Sequence, residues 1–459
     1  MPKLKMYEAC HAAVMATLVT SGAAWAGNLK YQPGVDPVVG INLWQTSTST
    51  LSGAGAVDEI QTMYNAGLRQ VSLSPIAYVD LYHYNTTTNT ADRNGTGAIS
   101  TSAAGPGYGT MSDTQLASAI TQARSLGMTV TVNPIIQPYV QGGGYNFSRA
   151  RINFNPFGDA AEVVRYNQFW TDYRTVFTHW ADIAKTNGAT RFNVGSETED
   201  LETNPDMLGQ WTQTIDAVDA VLGNTATSPK LGYHSGHWKF DDSRLKTNIW
   251  SNPKIDYLAT SAYFTYDPPQ PQYNYPGRTG LASPAQSAGT LSDGDTFKQL
   301  VETNFRNWLN STILPVGASV GKPIVLQEFG IAPFDTASSK PWEYYWYDSS
   351  GNLLPYDALE ARNAIEGVLR SIDGMGANIE QINFWVWAWQ GGFKGEPFGL
   401  RLGQTLVDDP STQFDETKNQ PASNLITSFV QSVPEPTSAL GMTALAALVL
   451  RRRANASND

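Results

Sequence analysis

The amino-acid sequence predicts an α/β fold: a closed barrel of eight parallel β-strands joined by helices, written (β/α)8. Three observations predict it. Short β-rich runs alternate with amphipathic segments of helical length, the alternation occurs eight times, and long segments follow several of the strands. In such barrels those segments lie on the C-terminal face, where active sites occur. An open doubly wound sheet is the alternative, but no glycine-rich phosphate-binding loop follows a strand.

The strands are predicted where β-branched and apolar residues cluster, and the helices where apolar residues recur every three to four positions. The predicted strands cover residues 38–43, 70–73, 128–132, 191–194, 230–233, 255–261, 323–326 and 379–387. The predicted helices cover residues 56–67, 113–127, 163–187, 206–222, 243–250, 297–314 and 356–375. Segments as long as those at 75–111, 134–160, 262–294 and 388–415 are usually functional.

The composition limits the class of ligand. Only 15% of the 459 residues are charged and the formal net charge is −11, which argues against a nucleic-acid partner because phosphate binding needs clustered Lys and Arg. The chain has 13 Trp and 21 Tyr, whose flat apolar faces and polar edges suit uncharged polar ligands such as sugars. Large protein cores also use these residues, so the composition alone leaves both interpretations open.

Residues 1–26 have the order of a secretory signal peptide. Two lysines precede an apolar stretch over residues 12–19, and Ala-Trp-Ala at 24–26 forms a cleavage motif. Cys10, the single cysteine of the sequence, lies within this peptide. The exported chain is therefore expected to have no disulfide and no thiolate metal site.

The C-terminal residues 433–459 begin with Val-Pro-Glu-Pro, continue as an apolar run to Leu450 and end after three arginines at 451–453. The apolar run is shorter than the roughly 20 residues that a stable membrane span needs. The order resembles the PEP-CTERM sorting signal of Gram-negative bacteria. That resemblance implies processing by an exosortase, transient membrane anchoring through the short helix, and export to the cell surface or extracellular matrix.

The two terminal signals delimit the rest of the chain. Residues 27–415 are assigned to a single catalytic barrel domain, and residues 416–432 to a C-terminal segment that links it to the sorting signal. A short helix or strand near residues 420–431 is expected in that segment.

Two glutamates lie where the fourth and seventh predicted strands end. Glu197 follows strand four in Gly-Ser-Glu, and Glu328 follows strand seven in Gln-Glu-Phe-Gly. The barrel would aim both carboxyls across one mouth, as glycoside hydrolysis requires of its proton donor and its ionised partner. A surface position or a salt bridge is the usual role of a single glutamate. Two at such strand ends, in a chain poor in charge, favour catalysis.

These stretches resemble the glycoside hydrolases of clan A over residues 38–400, through FNVGSE at 192–197, SAYF at 261–264, VLQEFG at 325–330 and FWVWAW at 384–389. Within the clan the sequence looks most like family 113, chiefly β-1,4-mannanases. The resemblance implies Glu197 as acid/base, Glu328 as nucleophile, retention of configuration and no cofactor. Ser196 stands where the clan usually has an asparagine that contacts the sugar, which weakens the substrate assignment.

Aromatic and histidine side chains at other strand ends are further candidates for the site. Tyr263 is placed to donate its hydroxyl to Glu328, with a core position as the alternative. The resemblance implies that Trp387 forms a platform beneath the sugar. His234 and His237 follow strand five; hydrogen bonds to sugar hydroxyls or to Glu197 are preferred over a metal site, for which no third ligand is evident.

Polar residues after the first and third strands complete the candidates for sugar binding. They carry side chains that donate or accept hydrogen bonds, and loop capping is an equal alternative for each. They are Asn42, Trp44, Asn133 and Gln137.

The sequence thus predicts a secreted retaining glycoside hydrolase that cleaves a β-1,4-linked polysaccharide, with mannan as the first substrate to consider. A non-catalytic polysaccharide-binding or matrix protein on the same barrel is the alternative; Ser196 and the sorting signal favour it. A metal-dependent polysaccharide deacetylase would need an Asp/His ligand set that the sequence does not display.

Overall fold

A computed structural model describes residues 29–44, 53–85, 90–101, 110–141, 148–263, 274–275, 278–279, 295–334, 337–339, 341, 353–387, 398–408 and 414–432. The strands are β1 Val38–Trp44, β2 Gln70–Ser74, β3 Ile76–Asn85, β4 Thr90–Asp92, β5 Ile99–Ser100, β6 Thr129–Val132, β7 Ile135–Gln141, β8 Arg191–Ser196, β9 Lys230–Ser235, β10 Tyr257–Ser261, β11 Asn274–Tyr275, β12 Arg278–Thr279, β13 Ile324–Phe329 and β14 Ile379–Phe384.

The helices in the same part of the chain are α1 Gly53–Asn65, α2 Asp113–Ser125, α3 Ala160–Thr186, α4 Glu199–Glu202, α5 Leu208–Leu222, α6 Ser243–Leu245, α7 Asp295–Trp308, α8 Leu314–Val320, α9 Ala358–Ser371 and α10 Gln420–Gln431. A π-helical turn over Leu309–Ile313 joins α7 to α8, where the sequence predicted one uninterrupted helix.

Eight of the strands form a closed barrel, in the order β1-β14-β13-β10-β9-β8-β6-β2. Every neighbouring pair in it is parallel. The predicted (β/α)8 barrel is confirmed, and all eight predicted strands belong to it. Because all eight strands are parallel, the C-terminal ends of β8 and β13, three steps apart around the ring, open onto the same barrel mouth.

The interior of the barrel is filled largely with amide and hydroxyl side chains. They hydrogen-bond across it: Gln327 Nε2 donates to Ser72 Oγ at 2.7 Å, and Asn193 Nδ2 donates to Asn133 Oδ1 at 2.9 Å. Satisfying buried polar groups in this way offsets their loss of water. The fully buried members of this lumen are Asn42, Gln70, Ser72, Thr131, Asn133, Asn193, Gln327, Gln381 and Asn383.

Aromatic rings fill the layer between the barrel and the helices α3 and α5. The Trp170 and Trp211 rings meet edge to face at 5.1 Å, and Tyr173 stacks on Phe177 at 4.2 Å. The Tyr173 hydroxyl donates to the Val194 carbonyl at 2.9 Å, so its polar end is also satisfied. Much of the tryptophan and tyrosine content therefore belongs to the core rather than to a sugar-binding surface.

A second, small sheet is formed by segments that the sequence analysis assigned to long loops. β3 pairs with β4 and β5 in antiparallel register and with β7 in parallel register. β3 and β7 each begin within three residues of a barrel strand, and Pro75 and Pro134 lie in the short breaks. Because only one or two residues separate the two strands of each pair, the sequence analysis recognised the first strand and assigned the second to the following loop. It therefore did not predict this sheet.

The C-terminal helix α10 packs against α9 and buries Ile426 and Phe429. Within the part of the chain that the structure describes, no helix combines the length and the apolar character needed to cross a membrane. The predicted signal peptide (1–26) and sorting signal (433–459) lie outside the described residues.

Candidate active site

The two candidate glutamates line one cavity at the C-terminal ends of β8 and β13. The cavity has a volume of about 200 Å³. Glu197 comes directly after β8, and Glu328 is the penultimate residue of β13, with 3% of its surface exposed. The cavity is lined by Ser148, Arg149, Ala150, Glu197, Glu199, Trp238, Tyr263, Glu328 and Phe398.

The backbone at Glu197 adopts a left-handed conformation with φ of 49°. A non-glycine residue rarely takes this conformation, and it persists where the surrounding structure enforces it. Here the Glu197 amide donates to the His234 carbonyl on β9 at 2.7 Å, which continues the pairing of the two strands past the end of β8. The strand end therefore turns sharply and carries the carboxyl to the cavity wall.

The Glu197 carboxylate is held by a cation and a hydroxyl group. Arg149, in a 3₁₀ turn after β7, donates from Nη2 to Glu197 Oε2, and Ser261 Oγ at the end of β10 donates to Oε1. Burial acts to raise the pKa of Glu197, but the Arg149 charge and the hydrogen bond from Ser261 outweigh it and leave the pKa below its usual value. Glu197 is thus ionised in the unliganded structure.

His234 connects Ser196 to Ser261 through its two ring nitrogens. Nδ1 lies 2.9 Å from Ser196 Oγ, and Nε2 lies 2.9 Å from Ser261 Oγ. Burial lowers the pKa of His234 to about 4, so the ring is neutral and one nitrogen carries the proton. Because the Ser261 hydroxyl donates to Glu197, it must accept from Nε2–H, and Nδ1 then accepts from Ser196. The chain of hydrogen bonds runs from Ser196 through His234 and Ser261 to Glu197.

Glu328 has a different environment. Its Oε1 is buried without a hydrogen-bond partner among the described residues, and His234 Nδ1 lies 3.9 Å from it. Burial, followed by the charge of Glu197, raises the pKa of Glu328 to about 8. Glu328 is therefore the protonated member of the pair at neutral pH. This is the reverse of the pattern that an acid/base at 197 and a nucleophile at 328 require in the working complex.

The structure brings some of the predicted site residues to the cavity. Tyr263 lines it and is 8% exposed, with its ring 6.2 Å from that of Phe398. Ser196 and His234 lie beneath it, fully buried, and hydrogen-bond each other instead of facing a ligand. His237 packs edge to face against Trp238 at 4.7 Å beside the cavity, and burial lowers its pKa to about 4.

Three predicted sugar contacts are corrected by the structure. Trp387 is fully buried and its indole Nε1 donates to Glu59 at 2.7 Å, so it is not a platform at the cavity surface. Asn42 donates to the Gln327 and Phe384 carbonyls, and Asn133 accepts from Asn193, all within the lumen. Strand β14 ends at Phe384, three residues before Trp387, whereas the sequence predicted a strand through residue 387.

The remaining two predicted residues are Gln137 and Trp44. Gln137 is half-buried in β7, in the small sheet beside β3. Trp44 is the last residue of β1, and its side chain lies outside the described part of the chain.

Several residues of the site escaped the sequence analysis. Arg149 and Ser148 belong to a segment after β7 that has no periodic pattern, and Phe398 belongs to a segment after β14. Glu199 stands two residues beyond Glu197, and Trp238 stands one residue beyond His237; the analysis selected Glu197 and His237. Ser261 ends a predicted strand within the quoted SAYF stretch and was overlooked because hydroxyl side chains are common at strand ends.

No group of three His, Cys, Asp or Glu side chains in the described residues is arranged to hold a metal ion. The two histidines that invited a metal interpretation differ in environment. Both ring nitrogens of His234 are hydrogen-bonded to serine hydroxyls, so neither has a free lone pair with which to bind a metal ion.

The barrel, its cavity and the two opposed glutamates define a class of protein, the (β/α)8 glycoside hydrolases. The family model described as Glycoside Hydrolase Family 113 matches residues 43–352, two thirds of the chain. The chain belongs to Glycoside Hydrolase Family 113. No curated protein sequence matches it significantly.

Solved structures share the fold at low sequence identity. A GH113 β-mannanase from Alicyclobacillus acidocaldarius superposes with a TM-score of 0.54 at 16% identity, covering 85% of this chain and 97% of that one. A structure described as a GH113 β-1,4-mannanase gives a TM-score of 0.56 at 15% identity, covering 87% of this chain and all of the other. At these identities the likeness is one of fold.

Proposed function

We propose that this chain is a retaining glycoside hydrolase that cleaves a β-1,4-linked polysaccharide, with mannan as the first candidate. The observation that carries the proposal is the convergence of Glu197 and Glu328 on one cavity in a family 113 chain. The description of similar structures as β-mannanases supports mannan as the substrate.

In the proposed reaction the Glu328 carboxylate attacks the anomeric carbon while Glu197 protonates the leaving oxygen. The glycosyl–Glu328 ester then reacts with water, from which Glu197 removes the proton, and the sugar is released with its configuration retained. The hydrogen bond from Ser261 fixes the direction of the Glu197 carboxyl throughout.

This cycle requires the proton to move from Glu328 to Glu197 when substrate binds. Arg149 is the group that opposes the move, since its charge stabilises the ionised form of Glu197. Arg149 lies on a loop and lines the cavity, so a sugar entering at Glu197 competes for the same space. Displacing the guanidinium removes the stabilisation of the carboxylate, and the shared proton then favours Glu197.

Export belongs to the same proposal. The signal peptide, exosortase processing, transient membrane anchoring and release to the cell surface or matrix are supported by the two terminal sequences. Fractionation of the producing cells, with mass spectrometry of both ends of the mature chain, tests it. Cleavage after residue 26 and near the Pro-Glu-Pro motif is the expected result, and a full-length cytoplasmic chain contradicts it.

The activity is tested by incubating the purified protein with β-1,4-mannan, β-1,4-glucan and β-1,4-xylan and measuring new reducing ends. We expect products from mannan, with an initial β-anomer by proton NMR, and none from Glu197→Gln or Glu328→Gln. An initial α-anomer would contradict the retaining mechanism. Polysaccharide binding without products from the wild-type protein would favour the non-catalytic alternative.

A further inference from the structure

A third carboxyl group lines the cavity and takes no part in the proposed reaction. Glu199 begins α4, two residues after Glu197, and 2% of its surface is exposed. Neither of its carboxyl oxygens has a hydrogen-bond partner among the residues that the structure describes. A buried polar group left unpaired is costly, so an unpaired carboxyl in the wall of an active-site cavity calls for a ligand that pairs with it.

The neighbouring carboxyl Glu202 shows what a structural role looks like in the same place. Glu202 is fully buried, and its two oxygens accept hydrogen bonds from Tyr233 Oη and Ser235 Oγ. It is absent from the cavity lining, whereas Glu199 is part of it. The fold thus satisfies the carboxyl of the residue away from the cavity and leaves unsatisfied that of the residue in the cavity wall.

An aromatic ring stands next to the Glu199 carboxyl. Trp238 lines the cavity and is 50% exposed, whereas Trp170, Trp180, Trp211 and Trp250 are fully buried. Both groups flank Gly236, where a methyl group would lie 2.4 Å from Glu199 Oε1 and 3.0 Å from two atoms of the Trp238 ring. Only glycine leaves the carboxyl and the indole room at this point.

We propose that Glu199 and Trp238 form a sugar-binding subsite beside Glu197, in which the Glu199 carboxyl hydrogen-bonds a hydroxyl of an uncharged sugar ring and Trp238 packs on the face of that ring. The inference rests on the proposed glycoside hydrolase function and specifies part of its substrate. A sugar ring offers both an apolar face and hydroxyl groups, which is the combination that this pair of side chains matches.

The protonation state of Glu199 agrees with an uncharged ligand. Burial, then the carboxyls of Glu202 and Glu197, raise the pKa of Glu199 to about 9, while Arg149 opposes the shift. The protonated carboxyl both donates and accepts at neutral pH, as a hydroxyl partner needs. A uronic acid would bring a second negative charge beside the ionised Glu197, so the subsite disfavours acidic polysaccharides.

The experiment measures binding separately from turnover. Glu328→Gln serves as the reference protein, and β-1,4-mannotetraose, cellotetraose, chitosan tetramer and a tetra-uronate are titrated by calorimetry. We expect Glu199→Ala and Trp238→Ala, each added to the reference, to weaken mannotetraose or cellotetraose binding about tenfold. Glu199→Gln keeps a neutral donor and acceptor and should stay within about threefold. Phe157→Ala, an 80% exposed aromatic residue outside the cavity lining, is the matched control and should change nothing.

Each result decides the matter. Reference-level affinity in both Glu199 variants overturns the subsite, even if the wild-type protein hydrolyses mannan. A second outcome is a tenfold loss of affinity in both Glu199→Gln and Glu199→Ala, with chitosan tetramer as the tightest ligand. It would show that an ionised Glu199 binds a cationic amino sugar, and it would overturn the assignment of an uncharged sugar as the ligand. Weakened binding in Glu199→Ala together with no hydrolysis by the wild-type protein supports the subsite and contradicts the proposed hydrolase activity. A reference protein that binds none of the four ligands overturns the subsite.

Discussion

The ends of β8 and β13 carry the same side chain in opposite electrostatic environments. At the end of β8, Glu197 sits on a left-handed backbone and receives hydrogen bonds from Arg149 and Ser261. Glu328 lies within β13 without a left-handed backbone, and its Oε1 has no hydrogen-bond partner in the described part of the chain. Two carboxyls on one barrel mouth therefore differ in pKa because of what the loops bring to them, and the strand positions alone do not decide which one holds the proton.

The largest expected effect comes from replacing the two glutamates and comparing the losses. Glu328→Gln removes the attacking group and should reduce kcat for mannan roughly 10⁴-fold or more. Glu197→Gln removes the proton donor and should cost about 10²–10⁴-fold on mannan. An aryl glycoside with an acidic phenol needs no protonation to leave, so Glu197→Gln should still release phenol from it in a burst while Glu328→Gln should not. Stopped-flow absorbance checks this, and a burst from Glu328→Gln would reverse the two roles.

A smaller effect is expected at the end of the hydrogen-bond chain. Ser261→Ala removes the hydroxyl that orients Glu197 and should lower kcat about tenfold with little change in KM. Ser196→Ala acts two hydrogen bonds further away and should cost less, about two- to threefold. Steady-state kinetics on the same substrate provide the comparison. Equal losses in the two variants would mean that His234 and Ser261 do not transmit orientation to Glu197.

Removing Arg149 tests, through the pH profile of kcat/KM, why the pKa values of Glu197 and Glu328 differ. Its positive charge lowers the pKa of Glu197 and opposes the raised pKa of Glu328. In Arg149→Gln both carboxyls keep their protons to higher pH. The pH profile of kcat/KM, including its alkaline limb, should therefore move to higher pH, and activity on the alkaline side should rise a few-fold. An unchanged profile would show that Arg149 does not pair with Glu197 in the working protein.

The smallest expected effect is on stability. The pKa of Glu328 is about 8 in the folded protein and about 4.5 in the unfolded chain, so the folded state retains a proton between these values. Its contribution is present below pH 4.5 and is lost as the pH rises through 8. Glu328→Gln has no charge to bury and should raise the free energy of unfolding above pH 8 by about 1 kcal/mol or more, seen as a midpoint about 1 °C higher for each kcal/mol in a chain of this length. A lower midpoint than wild type at pH 9 would contradict the buried, uncompensated carboxyl.

The sequence predicted the strands of the barrel better than the side-chain contacts of the site. Strands at 191–194 and 323–326 were recognisable because buried parallel strands are short runs of β-branched and apolar residues, and Glu197 and Glu328 followed from their ends. Arg149 was not recognisable, because it reaches Glu197 from a 3₁₀ turn 48 residues earlier in the chain. Contacts of this kind depend on loop geometry, which leaves no periodic signal.

The polar residues near strand ends show a second limit. Asn42 and Asn133 have the residue type and the strand position of sugar ligands, yet they belong to the lumen. The alternation of side chains along a strand tells inside from outside, but it does not tell the mouth of a barrel from its interior. The prediction for Trp387 was wrong for a related reason, since β14 ends before this residue.

The amide-filled lumen has a consequence for how such a sequence can diverge. The Asn193 and Gln327 amides hydrogen-bond partners at fixed positions on or beside other strands, so exchanging either one alone for leucine leaves those partners without a hydrogen bond. Replacement of the whole set by aliphatic residues carries no such penalty. Descendants of this protein are therefore expected to keep the network intact or to abandon it in one concerted step, with few viable intermediates between the two states.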